Sequence, residues 1–386
     1  MAEAPLTIGV VAGEASGDLL GSHLIKSIRA RVPQCRFTGI GGPRMEAAGM
    51  EVLYPMEKLA VRGYVEVLRH YREISGIRRR LAAHFLAQPP ALFVGVDAPD
   101  FNLDLEVKLK AAGIPTAHFV SPSIWAWRAG RIAKIRRAVS RMLVIFPFER
   151  EIYERAGVPV TYVGHPLAET LAPLRDRAAA REQLRIPAAA KVIALLPGSR
   201  MSELQQLASL FIDTAKQIAA AVPEAQFLVP LVNRSTRDQF ETARYSQAAE
   251  ELNMTLLFGH AHEAMAAADV VLAASGTATL EAALIGRPMV ITYRMAPATW
   301  WFMSLYRHMP YAGLPNIIAG EFVVPEFLQD EATADNLSQA VLNLLFDATV
   351  RSRLETRFAT LAGELRQNSA ERIAEGLLPL LRPAAP

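Results

Sequence analysis

The sequence predicts an α/β protein built from two doubly wound domains in series, and three observations predict it. The chain has 386 residues, and at roughly 150 residues per domain two cores are expected. Hydrophobic residues make up 51% of it, enough to fill both. Short, continuously apolar runs alternate with helical patterns, and the series restarts midway. Continuous rather than alternating apolar strands belong to parallel sheets covered on both faces.

The elements follow in order. Residues 6–12 read as a buried strand stopped by Gly13, and a helical pattern runs over 18–31. Further strands are expected at 36–40, 92–96, 116–120, 142–145 and 161–163, with helices between them, among them 101–112 and 149–156. Residues 174–187 are polar, alanine-rich and bounded by prolines, as a boundary helix would be. Strands then resume at 192–196, 226–230, 255–257, 270–273 and 289–292. A last helical pattern over 352–381 has no strand partner. The domains expected are residues 1–172 and 173–350, with C-terminal helices over 351–386 packing across the junction. No internal repeat or low-complexity segment interrupts them.

Composition excludes several classes. Basic residues number 41 and acidic residues 38, a net charge of +3, without the dense basic stripe of a nucleic-acid binder. Arg69, Arg72, Arg78, Arg79 and Arg80 cluster, as do Arg128, Arg131, Lys134, Arg136 and Arg137. These are solvated helix faces or contacts to an anionic membrane or substrate. The single cysteine, Cys35, excludes an intrachain disulfide and fits a reducing compartment. No run reaches the ~18–20 apolar residues of a membrane-spanning helix, and the N-terminus lacks a signal-type pattern. A cytoplasmic protein is expected. The stretches 56–71 and 295–309, the second holding Trp300, Trp301, Phe302, Met303 and Leu305, are either core or an apolar patch for acyl chains or a bilayer.

Chemistry concentrates where strands end. The turn Gly13-Glu14-Ala15-Ser16-Gly17-Asp18 lacks the G-x-G-x-x-G spacing, and so does Gly39-Ile40-Gly41-Gly42-Pro43, which disfavours a dinucleotide cofactor. Glycines 13 and 17 permit a tight turn that sets Glu14 and Ser16 at a carboxyl-end crevice. Capping by Ser16 or Asp18 would explain those two residues but not Glu14. The run 95–102, GVDAPDFN, puts Asp97 at a strand tip, while Asp100 reads as a helix cap. Asp97 is therefore the better catalytic candidate. Trp125 and Trp127 follow another strand, as pocket lining or as a core plug.

In the second series, Gly198-Ser199-Arg200 follows a strand and opens a helix, where backbone N–H groups bind phosphate and an arginine adds a charged fork. Ser275-Gly276-Thr277 does the same, with Glu281 one or two turns on, placed to take two ribose hydroxyls. Together they describe a cradle for a nucleoside diphosphate. Histidines 23, 118, 165, 260 and 262 show no metal-ligand spacing, so no metal site is expected.

These stretches resemble the lipid-A-disaccharide synthase family. They are AGEASGDLLG (12–21), GIGGPRM (39–45), VGVDAPDFN (94–102), SPSIWAWR (121–128), YVGHPL (162–167), LPGSR (196–200), ASGTATLE (274–281) and LPNI (314–317). The resemblance implies a GT-B fold with an interdomain cleft and a first domain that binds the acceptor. It implies transfer of 2,3-diacylglucosamine from its UDP donor to 2,3-diacylglucosamine 1-phosphate (lipid X), with inversion, giving the β-1,6 disaccharide 1-phosphate and UDP. It implies no cofactor and no metal. Asp97 is then the base, with Glu14 across the crevice, and Arg200 stabilises the leaving UDP with the helix starts near Gly198 and Ser275. Asn316 and Gln329 would bring further polar groups to the cleft. The partners implied are the two acylated substrates and the cytoplasmic face of the inner membrane, bound peripherally, and a homo-oligomer is allowed. Two other readings stay open. One is another UDP-sugar enzyme on the same fold, a UDP-N-acetylglucosamine 2-epimerase or a non-lipid glycosyltransferase. The other is a non-catalytic lipid-binding protein.

Overall fold

Every strand pairing among the described residues is parallel, as continuous apolar strands require. The computed structural model describes residues 6–59, 64–125, 129–296, 300 and 309–381. The chain divides into two compact units, Met1–Pro166 with Leu365–Pro386, and Leu167–Glu364.

The first unit contains β1 (Thr7–Ala12), α1 (Ala15–Arg31), β2 (Arg36–Gly41), α2 (Pro43–Ala47), β3 (Met50–Pro55), α3 (Tyr64–Ala87) and β4 (Leu92–Val96). It continues with α4 (Pro99–Ala111), β5 (Thr116–Phe119), α5 (Ile132–Ala138), β6 (Arg141–Val144), α6 (Pro147–Arg155) and β7 (Val160–Tyr162). The sheet order is β3-β2-β1-β4-β5-β6-β7. Strand order reverses between β1 and β4, and ligands of open α/β sheets bind at the carboxyl end of such a switch.

Helix α7 (Pro166–Thr170) leads to α8 (Arg177–Gln183), the expected boundary helix, capped by the Asp176 carboxylate. The second unit repeats the scheme with β8 (Val192–Leu196), α9 (Met201–Ala221), β9 (Gln226–Leu231), α10 (Arg234–Ser246), β10 (Met254–Phe258) and α11 (Ala261–Ala267). Then come β11 (Val270–Ala274), α12 (Thr277–Ile285), β12 (Met289–Tyr293), α13 (Leu314–Ala319), β13 (Glu326–Leu328), α14 (Ala334–Phe346) and α15 (Ala348–Leu365). The order is β10-β9-β8-β11-β12-β13, with its switch between β8 and β11.

The central strands β4, β8 and β11 are buried at every residue, which is why their sequences read so plainly. Two edge strands were not foreseen. β3 alternates Glu51 with half-buried residues and ends on a proline, and β13 has three half-buried residues. An edge strand covered on one side carries no continuous apolar run. The terminal pattern also breaks in two. Asn368 takes a left-handed conformation (φ 54°) and separates α15 from α16 (Ser369–Leu377). Helix α16 packs against α1, β6 and β7 of the first unit. His23 on α1 and Ser369 are 3.0 Å apart, and Arg31 pairs with Glu371 at 3.2 Å.

One buried carboxylate explains two motifs at once. Asp18 on α1 accepts from the N–H groups of Gly42, Arg44 and Met45, each at 3.0 Å. It thus caps α2 rather than its own helix. A Cβ on Gly42 would stand 2.8 Å from that carboxylate, so the glycine is needed for the approach.

Candidate active site

The first unit's switch point collects acidic groups. Ala12 and Val96 are register partners, so the turns after β1 and β4 lie side by side. A Cβ on Gly13 would come 3.0 Å from the Ala98 side chain. Glu14 begins α1 in extended backbone, half-buried, and its carboxylate makes no capping bond to the helix. Ser16 is exposed in the first turn, so neither it nor Asp18 caps α1.

Asp97 stands at the tip of β4 on strained backbone. Both Asp97 (φ 52°) and Ala98 (φ 44°) are left-handed. Such conformations cost non-glycine residues of order 1–3 kcal/mol each and persist where the surroundings over-determine them. Here the Asp97 N–H donates to Phe119 O at 2.9 Å, and Asn102 Nδ2 donates to Asp97 O at 2.8 Å and Val11 O at 3.2 Å. Burial raises the Asp97 carboxyl above the usual carboxylate range, opposed by positive charge on His118 and by the Ala98 N–H. Asp100 does not cap α4, whose first turn is entered through Ala98 with no side-chain bond. Its carboxylate pairs with Arg131 instead.

Beyond β5, Trp125 donates to Glu149 at 3.1 Å, and the Phe146 N–H does so at 3.1 Å. Burial pushes the Glu149 carboxyl up to about 7, against hydrogen bonds from Phe146, Trp125 and Ser121. Trp125 is therefore anchored from below rather than plugging the core alone. Trp127 and Arg128 lie outside the described residues.

The second unit's switch point collects donors. At the start of α9 the sequence suggested open phosphate-binding amides, but Glu203 fills it. Its carboxylate accepts from Ser199 N at 2.9 Å, Arg200 N at 3.2 Å and the Arg200 guanidinium at 2.7 Å. Gly198 is left-handed (φ 121°), and a Cβ there would stand 2.6 Å from Glu203. The signal for Glu203 was present as a glutamate three residues into the helix, the pattern of a capping box. Arg200 keeps about half its side chain exposed (47%).

The start of α12 is open. Gly276 and Thr277 are exposed, no side chain caps the helix, and a Cβ on Gly276 would meet nothing within 4 Å. Ser275 is held from both sides, its N–H donating to Thr292 O and its hydroxyl to Ala312 O. Register pairing of β8 with β11 puts the Arg200 and Ser275 turns on neighbouring strands. One and a half turns into α12, Glu281 meets His262 Nε2 at 3.2 Å, a contact that sequence spacing did not reveal.

Asn316 and Gln329 have scaffolding bonds. Asn316 is fully buried, and its amide makes four bonds, donating to Val324 O and Glu326 and accepting from the N–H groups of Val323 and Val324. Glu326 in turn holds the N–H groups of Ala312 and Gly313. Asn316 thus fixes the loop whose carbonyl grips Ser275. Gln329, left-handed at φ 52°, brackets Met295 by accepting from its N–H at 2.7 Å and donating to its carbonyl at 3.1 Å. The apolar stretch beyond Met295 lies mostly outside the described residues. Among the described residues no group of three or more His, Cys, Asp or Glu side chains is arranged to hold a metal ion.

Known proteins agree with this arrangement at the level of fold and family. A structure described as the glycotransferase of kitacinnamycin superposes with a TM-score of 0.65 at 19% identity, covering 98% of this chain and all of that one. The two parallel-sheet units are thus of the GT-B type. The lipid-A-disaccharide synthase of Methylobacillus flagellatus is 54% identical over 97% of this chain and 100% of its own length. That of Azoarcus sp. is 56% identical over 98% and 97%. The lipid-A-disaccharide synthetase family model matches residues 8–377, and the chain belongs to that family.

Proposed function

We propose that the protein transfers 2,3-diacylglucosamine from UDP to the 6-hydroxyl of 2,3-diacylglucosamine 1-phosphate, releasing UDP. The observation that carries the assignment of chemistry is Asp97, a half-buried carboxylate on two successive left-handed residues at a strand tip. The acceptor oxygen attacks the anomeric carbon as the bond to UDP breaks. Its proton passes to Asp97, whose raised affinity for protons suits a general base. Glu14, in the adjoining turn, orients the acceptor with Ser16.

The departing diphosphate takes the bonding electrons and needs positive potential. The open start of α12 at Gly276 and Thr277, positioned by Ser275, offers N–H groups for it, and Arg200 offers a charged donor beside Gly198 and Ser199. Glu281 receives the ribose. Asn316 and Gln329 act by holding the loops around this cradle. No metal or cofactor enters the scheme, because the amides and Arg200 supply the charge stabilisation.

The test is incubation of purified protein with the UDP donor and acceptor, followed by mass detection of the disaccharide 1-phosphate. No product from folded protein overturns the assignment, as does conversion of an unacylated UDP-sugar in its place.

Peripheral attachment to the cytoplasmic face of the inner membrane belongs to the same reading, since both substrates carry acyl chains. No helix of the described residues is long and apolar enough to cross a membrane. On the first unit, Arg72, Arg78 and Arg79 of α3 border a surface groove with Lys108 of α4, a face suited to anionic headgroups. Flotation with anionic vesicles should capture the protein at low salt and release it as salt rises.

A further inference from the structure

A buried polar file runs beneath Asp97. His118 in β5 and Glu106 on α4 are both wholly shielded from solvent, with Nδ1 and Oε1 2.7 Å apart. Gly95, the register partner of His118, lies against them. A Cβ there would stand 2.2 Å from Glu106 Oε1 and 2.8 Å from Asn102, so β4 is bare at the position that admits the carboxylate. Asn102 sits one helical turn before Glu106 on the same face of α4, and its amide clamps the Asp97 carbonyl. The tip of β4, the face of α4 and the middle of β5 therefore meet in one connected group.

Stability does not account for this group. A buried ionisable pair is commonly no better than apolar residues of the same volume. Three of its atoms, Asn102 Oδ1, Glu106 Oε2 and His118 Nε2, have no hydrogen-bond partner among the described residues, which is rare in a native core and calls for a functional reason. Electrostatics points the same way. Positive charge on His118 is the largest influence opposing burial at Asp97, and it is also the largest opposing burial at Glu106.

We propose that Glu106 and His118 are a positioning pair for Asp97. The carboxylate orients the imidazole, and the pair, packed with Asn102 against β4, holds the strand tip so that Asp97 is ready to take the acceptor proton. The inference rests on Asp97 being the base. Other charges around the pair are already engaged. Lys134 of α5 approaches Glu106 but is bonded to Asp104 at 2.6 Å. Arg78 of α3 is bonded to Asp104 and to Asp100 O. Arg141 of β6 donates to Thr161, Lys110 of α4 donates to Arg136 O, and Lys108 of α4 acts on Asp104.

The experiment is the pH profile of kcat and KM for wild type, His118→Gln, Glu106→Gln and Asp97→Asn. In His118→Gln the acid limb should move to higher pH by about one unit, with kcat on the acid side of that limb down roughly 10-fold and KM within about twofold. Glu106→Gln keeps an oxygen for the Nδ1–H and should move the limb less, in the same direction. Equal loss at every pH with an unmoved limb overturns the pair as a positioning device. Imidazole nitrogen NMR of histidine-labelled wild type gives a test independent of variant folding. A fixed Nδ1–H bonded to Glu106 is expected, and a ring that exchanges freely between tautomers overturns the proposal. Near-normal turnover by Asp97→Asn instead overturns the base assignment itself, whereas an inactive Asp97→Asn beside an unmoved limb overturns only the pair.

Discussion

The two units carry one topology and opposite chemistry. Each sheet reverses its strand order beside its first strand, at β1/β4 and at β8/β11, and each reversal is where the candidate residues gather. The first unit sets carboxylates there, Glu14 and Asp97, over further buried acids. Among buried carboxylates Asp18, Glu106 and Glu149 belong to the first unit and Glu203 to the second. The second unit sets amides, hydroxyls and an arginine there. A doubly wound sheet thus supplies the crevice, and the side chains placed at its rim decide whether it handles a proton or an anion.

The largest expected effect is at the acidic rim. Asp97→Asn keeps size and polarity but removes the proposed base, and kcat should fall by about 10²–10⁴ with UDP binding unchanged. Calorimetric titration of UDP beside turnover measurement separates the two. If Glu14→Gln is inactive while Asp97→Asn is normal, the base is Glu14.

Next is Arg200→Ala at the basic rim, expected to cost about 2.7–4 kcal/mol in kcat, the worth of one donor to a developing negative charge. Turnover within a few-fold of wild type would remove Arg200 from the leaving-group site.

A stability experiment tests whether buried acids distinguish the first unit. Glu149 titrates near 7 when folded, against about 4.5 when exposed. A raised carboxyl favours the protonated native state, so stability should decline as pH rises from about 4.5 to 7 and level off above it, by a few kcal/mol in all. Thermal melts of Glu149→Gln should show a flatter profile across that window. An unchanged slope would mean that Glu149 is ionised throughout.

A smaller effect separates the two helix starts of the second unit. Glu203→Gln removes the charge that caps α9 and should cost about 0.5–2 kcal/mol in unfolding free energy. The open start of α12 has no equivalent to lose. The smallest expected effect is none at all. Turnover should survive EDTA, and activity lost to EDTA and restored by magnesium would replace Arg200 with a metal as the source of positive potential.

The central strands and the rim motifs are legible because burial on both faces leaves an uninterrupted apolar run that stops abruptly at the rim, as β4 does at Asp97 and β11 at Ser275. β3 and β13 are not, because half-covered edges mix polar and apolar residues. That Asp97, Arg200 and Ser275 stand just past strand ends is legible from the sequence alone. What could not be read was which partner each would meet. Glu203 carries a local signal, three residues into its helix. Glu106 and His118 are 12 residues apart and meet through packing of α4 on β5, and His262 reaches Glu281 from a different helix. Asp18 sits where a cap for its own helix would, yet serves one 24 or more residues away. Long-range pairing of polar groups leaves no periodicity to detect.

The return of α16 to the first unit has a consequence in time. That unit is the first to leave the ribosome, yet the helix that covers α1, β6 and β7 lies beyond Leu365, roughly 200 residues after Pro166. At about 5–20 residues per second, the nascent unit waits on the order of 10–40 s with that flank uncovered. The second unit is continuous and has no such wait. The earliest-made half of the molecule is the last to be finished, and during that interval it is the half that a chaperone would hold.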